Sequence, residues 1–236
     1  MRYYRISSNA IRVQLEPRLI ETGPASSSHD RLLEAAKILF AVKGYENTST
    51  SSIARLAGTS ESQLIKHFGS KEGLLTAVFD HGWARIAQHL DQLKALPTAE
   101  VRLSTMLEVV LAALERDAYL CDVLLLEGRR IRSHGRMVLL TTGYLRLIDA
   151  VDTEIEQLRR EGKLRSEVSP QAVRSALVGM LESMVRDIVL ARRIDFPADF
   201  DLSQLKQAFQ IVLKAFVPDA ETDVAPQPSR KAKSRR

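Results

Sequence analysis

Residues 48–74 read Thr-Ser-Thr-Ser-Ser-Ile-Ala-Arg-Leu-Ala-Gly-Thr-Ser-Glu-Ser-Gln-Leu-Ile-Lys-His-Phe-Gly-Ser-Lys-Glu-Gly-Leu. Ile53, Ala54 and Ala57 form a small apolar face on one short helix, and Leu64 with Phe68 form another on a second. Gly58 between them permits the sharp turn that lets the second helix pack back steeply, the geometry of a helix-turn-helix. Small side chains at 54 and 57 matter because the two helices must approach closely. Ser60 starts the second helix, with Gln63 placed to complete a capping box. Two uses of Gln63 stay open: it caps its own helix, or its amide pairs with adenine N6 and N7 in a major groove.

Outward from this stretch the apolar residues keep recurring at helical intervals, and no stretch alternates with the period of two expected for a half-buried strand. The fold class is all-α. Leu32, Leu33, Ala36, Leu39 and Phe40 trace the face of a first helix, begun near Ser28 and Asp30 and stopped by Gly44. Further helices are expected at 71–94, 98–116, 118–129, 137–162, 169–194 and 202–216. They are separated by Pro97, the turn at Ser133–Gly135, Gly162, Pro170 at a first helical turn, and Pro197. The expected organisation is a disordered extension at 1–27, a helix-turn-helix domain at 28–75, a helical body at 76–217, and a disordered basic tail at 218–236.

Net charge is +5, but it is unevenly spread. The extension has four basic and two acidic residues, segment 28–75 six and five, the body nineteen of each, and the tail five and three. Most of the surplus lies in the two ends, so nucleic-acid binding has to be argued from pattern instead. The single cysteine, Cys121, excludes an internal disulfide and fits a reducing compartment. Charged residues such as Glu108, Glu127, Asp149 and Glu182 interrupt the richest apolar stretches before they reach the length of a membrane span. The first 27 residues lack the apolar core of a secretory signal, and a cytoplasmic location is expected. His81 and His89 have no ligand partner at metal spacing, so no metal or cofactor is expected. Arg129, Arg130, Arg132 and Arg136 read as a solvated helix end.

Ile-Ala-x-x-Ala-Gly-x-Ser followed by Leu-x-x-x-Phe-x-Ser-Lys-Glu-x-Leu resembles the DNA-binding domain of the TetR family of transcriptional regulators. The resemblance implies a one-component regulator. It uses the turn and recognition helix on double-stranded operator DNA, a divergent helical body for a small-molecule effector, and the last two long helices for homodimer formation. By position it assigns Thr50 and Ser51 to the DNA backbone, and Ser62, Gln63, Lys66 and His67 to groove or phosphate contacts. Lys71, behind a capping Ser70, becomes a phosphate clamp, and Glu72 fits the positive end of that helix. Two positions depart from the family. Ile65 stands where an aromatic is usual, and is suited to a thymine methyl rather than a phosphate. Glu61 stands where a basic or small residue is usual, and is suited to cytosine N4.

In the body, Trp83, Met106, Tyr119, Cys121, Tyr144, Met180 and Met184 are candidates to line an effector pocket, each with plain core packing as the alternative. Ala176, Gly179 and Ser183 on one helix, with Leu205, Phe209 and Val212 on the next, are candidates for half of a four-helix dimer interface. Their alternative is an intrachain core. An enzyme finds no support: there is no Gly-rich phosphate loop and no base beside the cysteine. A helical regulator gated by a protein partner is the other alternative. The function expected is that of a repressor released from a palindromic operator.

Overall fold

A computed structural model describes residues 27–127, 140–194 and 196–217. The extension, the arginine group at 129–136 with the turn at 133–135, and the basic tail lie outside the described residues. Among the described residues every regular element is helical: α1 (Ser28–Lys43), α2 (Thr50–Leu56), α3 (Glu61–Phe68), α4 (Lys71–Ala87), α5 (Ala99–Arg116), α6 (Ala118–Glu127), α7 (Thr142–Arg160), α8 (Pro170–Ile194) and α9 (Leu202–Phe216).

Local chemistry sets the boundaries. Ser27, rather than Ser28, caps α1 by accepting from the Asp30 amide, and Gly44 ends it at a φ of 77° with its N–H on Phe40 O. The segment expected as one helix over 71–94 instead ends as α-helix at Ala87 and continues as a 3-10 helix at Leu90–Ala95. That tighter winding puts Leu90 and Leu93 in line, and both are buried. Asp201 and Gln204 form a complete capping box at the start of α9.

The apolar residues form one continuous core that runs from Leu32 in α1 to Leu213 in α9. Helix α4 leaves the helix-turn-helix and crosses the body, where its most extensive packing is against α7. The crossing is close because of Gly143: a Cβ there would stand 2.6 Å from Ala84 N and 2.9 Å from Trp83 Cβ. The Gly143 amide donates to Asp80 Oδ1 at 2.9 Å, so α4 also supplies a partner for the first turn of α7. Between α5 and α7, Arg102 donates to Glu154 Oε2 at 2.7 Å, to Gln157 Oε1 at 2.8 Å and to Leu96 O at 2.8 Å. Charges buried this deeply are tolerable because the two are paired and each of the three guanidinium nitrogens donates a bond.

Two ties join the first helix to the body. Lys37 Nζ meets Asp117 Oδ2 at 2.6 Å. Arg193, in the last turn of α8, donates to Ala41 O at 2.9 Å and also pairs with Asp122 of α6. Burial raises the Asp122 carboxyl above its usual range, while Arg193 pulls it back.

Candidate nucleic-acid interface

Helices α2 and α3 are short, and each begins with a serine cap: Ser49 accepts from Ser52 N, and Ser60 from Gln63 N. Ile53, Ala54, Ala57 and Leu64 are buried where the two helices meet each other and α1. Gly58 adopts a φ of 61° with open space around it, so backbone conformation rather than crowding requires glycine there. Arg31 Nε donates to Ala57 O at 3.0 Å and ties α1 to the turn.

This packing turns one side of α3 outward. Glu61, Ser62, Ile65, Lys66 and His67 are exposed, and Gln63 is half-buried. The Ser60 hydroxyl makes its half of the expected capping box, but the Gln63 side-chain amide makes no return bond among the described residues. That amide is therefore available to a base edge. Glu61 is held across the turn by Thr50, whose Oγ1 donates to Oε2 at 2.7 Å. Ser51 lies beside Ser49, with 3.4 Å between their hydroxyls. Ser62 and Lys66 form no hydrogen bond or ion pair among the described residues. His67 is tied back to α1 by Ser28 Oγ at 2.9 Å, and His29 stands edge-on to its ring at 5.6 Å. Ile65, 49% exposed, is the large apolar side chain left open on this face.

Lys71 is placed differently from the resemblance. Its ammonium turns inward, donating to Tyr45 O and Thr48 O at 2.8 Å each and lying 4.1 Å from the Tyr45 ring centroid. It fastens the loop between α1 and α2. The buried Thr48 hydroxyl, bonded to Leu39 O and Gly44 O, fastens the same loop from below. Two of the three ammonium donors thus go to backbone carbonyls.

The body distributes the remaining candidates unevenly. Trp83 lines a narrow cavity of about 30 Å³ between α4, α5, α6 and α8, together with Val110, Leu114, Leu124, Leu181 and Val185. Tyr144 faces an open groove between α7 and α8 and contacts Trp83 edge-on at 5.3 Å. Met106 and Cys121 are buried, while Tyr119, Met180 and Met184 pack against the core from its edge. None of these five lines that cavity. Burial, helped by the neighbouring Asp122 charge, pushes the Cys121 thiol up to about 12, which leaves it unreactive at neutral pH. Sequence reasoning missed the leucines and valines of α5, α6 and α8, whose helical spacing looks like any core stripe. It also missed Arg186 at the cavity wall.

Among the dimer candidates, Leu205 is fully buried and Phe209 is 5% exposed inside the single chain. Both belong to the subunit core where α9 meets α8 and α5, which corrects the expectation for them. Ala176 is exposed, and Gly179, Ser183 and Val212 are partly so. Nothing lies within 4 Å of a Cβ built on Gly179. Ile211, 68% exposed on α9, was not singled out by periodicity because its neighbour Val212 occupies the more regular position.

Among the described residues no group of three or more acidic, histidine or cysteine side chains could hold a metal ion. No helix there is long and apolar enough to cross a membrane.

Residues 32–78, which contain α2, α3 and Lys71, match the family model described as bacterial regulatory proteins, tetR family. Residues 32–78 are a TetR-family DNA-binding domain. The chain that carries it is 24% identical over 163 residues to the fatty acid metabolism regulator protein of Bacillus subtilis (strain 168), covering 68% of this chain and 82% of the relative. It is 28% identical over 185 residues to the nucleoid occlusion factor SlmA of Vibrio atlanticus (strain LGP32), covering 72% and 87%. Its fold matches FadR from Bacillus subtilis, solved in complex with stearoyl-CoA, with a TM-score of 0.68 at 19% identity over 80% of this chain and 99% of that one. The all-helical architecture, with an N-terminal helix-turn-helix and a helical body, is thus that of TetR-like regulators.

Proposed function

We propose that this TetR-family chain is a transcriptional regulator that binds a palindromic DNA operator as a homodimer and is released when its body takes up a small-molecule effector. The observation that carries the reading is the outward face of α3, held at a fixed angle by the buried Ala54–Ala57–Leu64 contact and by the positive φ of Gly58. Such a helix fits a major groove, its N-terminal side chains reaching base edges and its backbone N–H groups favouring phosphate. Ser62, Gln63 and Lys66 are polar groups on that face whose side chains have no partner among the described residues, and Thr50 with Ser51 begins the helix that would rest on the backbone. Lys71 serves the interface indirectly, by holding the 44–49 loop in place.

Two recognition helices have to meet successive major grooves roughly 34 Å apart, which requires two copies of the chain. The open side of α8 at Ala176, Gly179 and Ser183, with Val212 and Ile211 on α9, is the surface we assign to that pairing. For the effector, the FadR structure with stearoyl-CoA supports an acyl compound as the class to examine first. Release then follows from the effector's preference for a subunit arrangement with the wrong recognition-helix spacing.

Selecting binding sites from random duplex DNA tests the reading. A two-fold symmetric site is the expected result, and failure to retain any duplex at low ionic strength refutes it. If operator affinity stands but no acyl compound changes it, gating by a protein partner becomes the better account.

A further inference from the structure

We propose that Glu61 and Ile65 act as one reader of a base edge that carries an amino group with a methyl beside it, and that Thr50 is the residue that aims it. 5-Methylcytosine presents both groups on one base, and a cytosine stacked on a thymine presents them on two. The inference rests on the DNA-binding reading above and names the bases that this face selects. Both positions depart from the residues usual in TetR-like recognition helices, so the preference belongs to this chain's own side chains.

Thr50 Oγ1, at the first position of α2, donates to Glu61 Oε2 at 2.7 Å, reaching across the turn to the start of α3. Glu61 is exposed, and its Oε1 makes no hydrogen bond or ion pair among the described residues. The tie fixes the side chain before DNA arrives, so less freedom is lost on binding. A hydroxyl has one proton, and Thr50 has placed it on Glu61. Thr50 therefore serves the interface by directing the carboxylate rather than by donating to a phosphate. An acid in a first helical turn also suits the helix dipole, but that role needs no tie to another helix.

Ile65 lies four residues on, hence on the same side of α3, and is 49% exposed. Side chains at that spacing have Cβ atoms about 5–6 Å apart, against about 3.4 Å between stacked base pairs, so the two reach one base pair or two successive ones. A carboxylate only accepts. It pairs with the N4 amino group of cytosine and is repelled by O4 of thymine and by O6 and N7 of guanine. Adenine offers its N6 amino group beside the N7 acceptor and carries no methyl. The branched apolar side chain of Ile65 gains by covering a methyl. Facing a base without an amino group, Glu61 would lose its water beside the phosphates and find no donor.

Operators are selected from random duplex DNA with the full chain, and the selected duplex is then used in competition binding. One cytosine per half-site should be required, and its replacement by thymine, with adenine opposite, should weaken the parent about tenfold. Glu61→Gln, whose amide donates as well as accepts, should reduce that penalty to about twofold. Thr50→Val should reduce it in part and Thr50→Ser should restore it, a change in base preference that losing a mere clasp between α2 and α3 would not give. Two arms identify the source of the methyl. Methylating the required cytosine at C5 should tighten the parent about fourfold if one base supplies both groups. Deoxyuridine in place of the neighbouring thymine should weaken it about fourfold if two bases do. Ile65→Ala should be blind to whichever change acts. The proposal is overturned if Glu61→Gln or Thr50→Val keeps the parent's cytosine preference, if neither methyl change acts, or if it acts equally on Ile65→Ala. Failure to retain any duplex would overturn the regulator reading and this proposal together, whereas a selected operator without these dependences overturns this proposal alone.

Discussion

Replacing Lys71 by alanine separates two accounts of this residue that sequence alone treats as one. The ammonium makes two charge-assisted hydrogen bonds to loop carbonyls and lies over the Tyr45 ring. Each such bond contributes about 1.5–3 kcal/mol, and the ring contact about 0.5–1 kcal/mol. Lys71 is only partly buried, and water can reach the loop once the side chain is gone, so the lower ends apply. The expected loss is about 3.5 kcal/mol, which for a chain of this size lowers the melting temperature by roughly 7–14 °C. Operator affinity should fall too, because α2 is no longer held in register with α1. The discriminating assay is a salt titration of operator binding. A lysine that neutralises a phosphate contributes about one unit to the log–log slope, whereas one that positions a loop contributes nothing to it. A slope smaller by one unit, with an unchanged melting temperature, would refute the positioning role and restore the phosphate clamp.

Further outcomes test other contacts. If Ile65 meets a thymine methyl in the groove, replacing that thymine by deoxyuridine in the selected operator should cost the parent about 0.8 kcal/mol per half-site, about fourfold, and cost Ile65→Ala nothing; equal sensitivity in competition binding would remove the contact. Gly143→Ala should destabilise the chain by about 2–3 kcal/mol in denaturant melts, because the new methyl meets the Ala84 backbone, whereas Gly82→Ala meets only the flexible Leu120 side chain and should cost less. Phe209→Ala should lower subunit stability by about 3–5 kcal/mol, while Ala176→Arg should leave the fold intact and shift sedimentation toward monomer; a stable, monomeric Phe209→Ala chain would contradict the core assignment.

The helix-turn-helix was legible because local chemistry fixes it: Ser60, Gly58 and the Ala54–Ala57 pair each have one workable use at their spacing. Helix limits at Gly44, Gly162 and Pro170 were readable for the same reason. Lys71 was not decidable because a lysine after a capping serine looks the same whether its ammonium reaches out to a phosphate or in to Tyr45 O. The long-range partner that decides between them is 26 residues away. Leu205 and Phe209 carried the same ambiguity, since an apolar stripe does not say whether its cover is the same chain or another copy. The cavity residues were hidden for a different reason. Leu124, Leu181 and Val185 follow ordinary core periodicity, and only three-dimensional packing leaves a gap beside them. Trp83 was found by its type, and Arg186 was not, because an arginine near the middle of α8 has nothing in its sequence neighbourhood to distinguish it from a solvated one.

Arg193 joins three helices that serve different tasks: it leaves the end of α8, on which we place subunit pairing, and ends on α6 and on the final turn of α1. A single guanidinium thus makes the seam between the two copies and the footing of the DNA-reading unit mechanically continuous. A twist at the seam would be felt at Ala41 without passing through α4. Hydrogen exchange at the end of α1 should therefore quicken in an Arg193→Gln chain even when α4 stays protected.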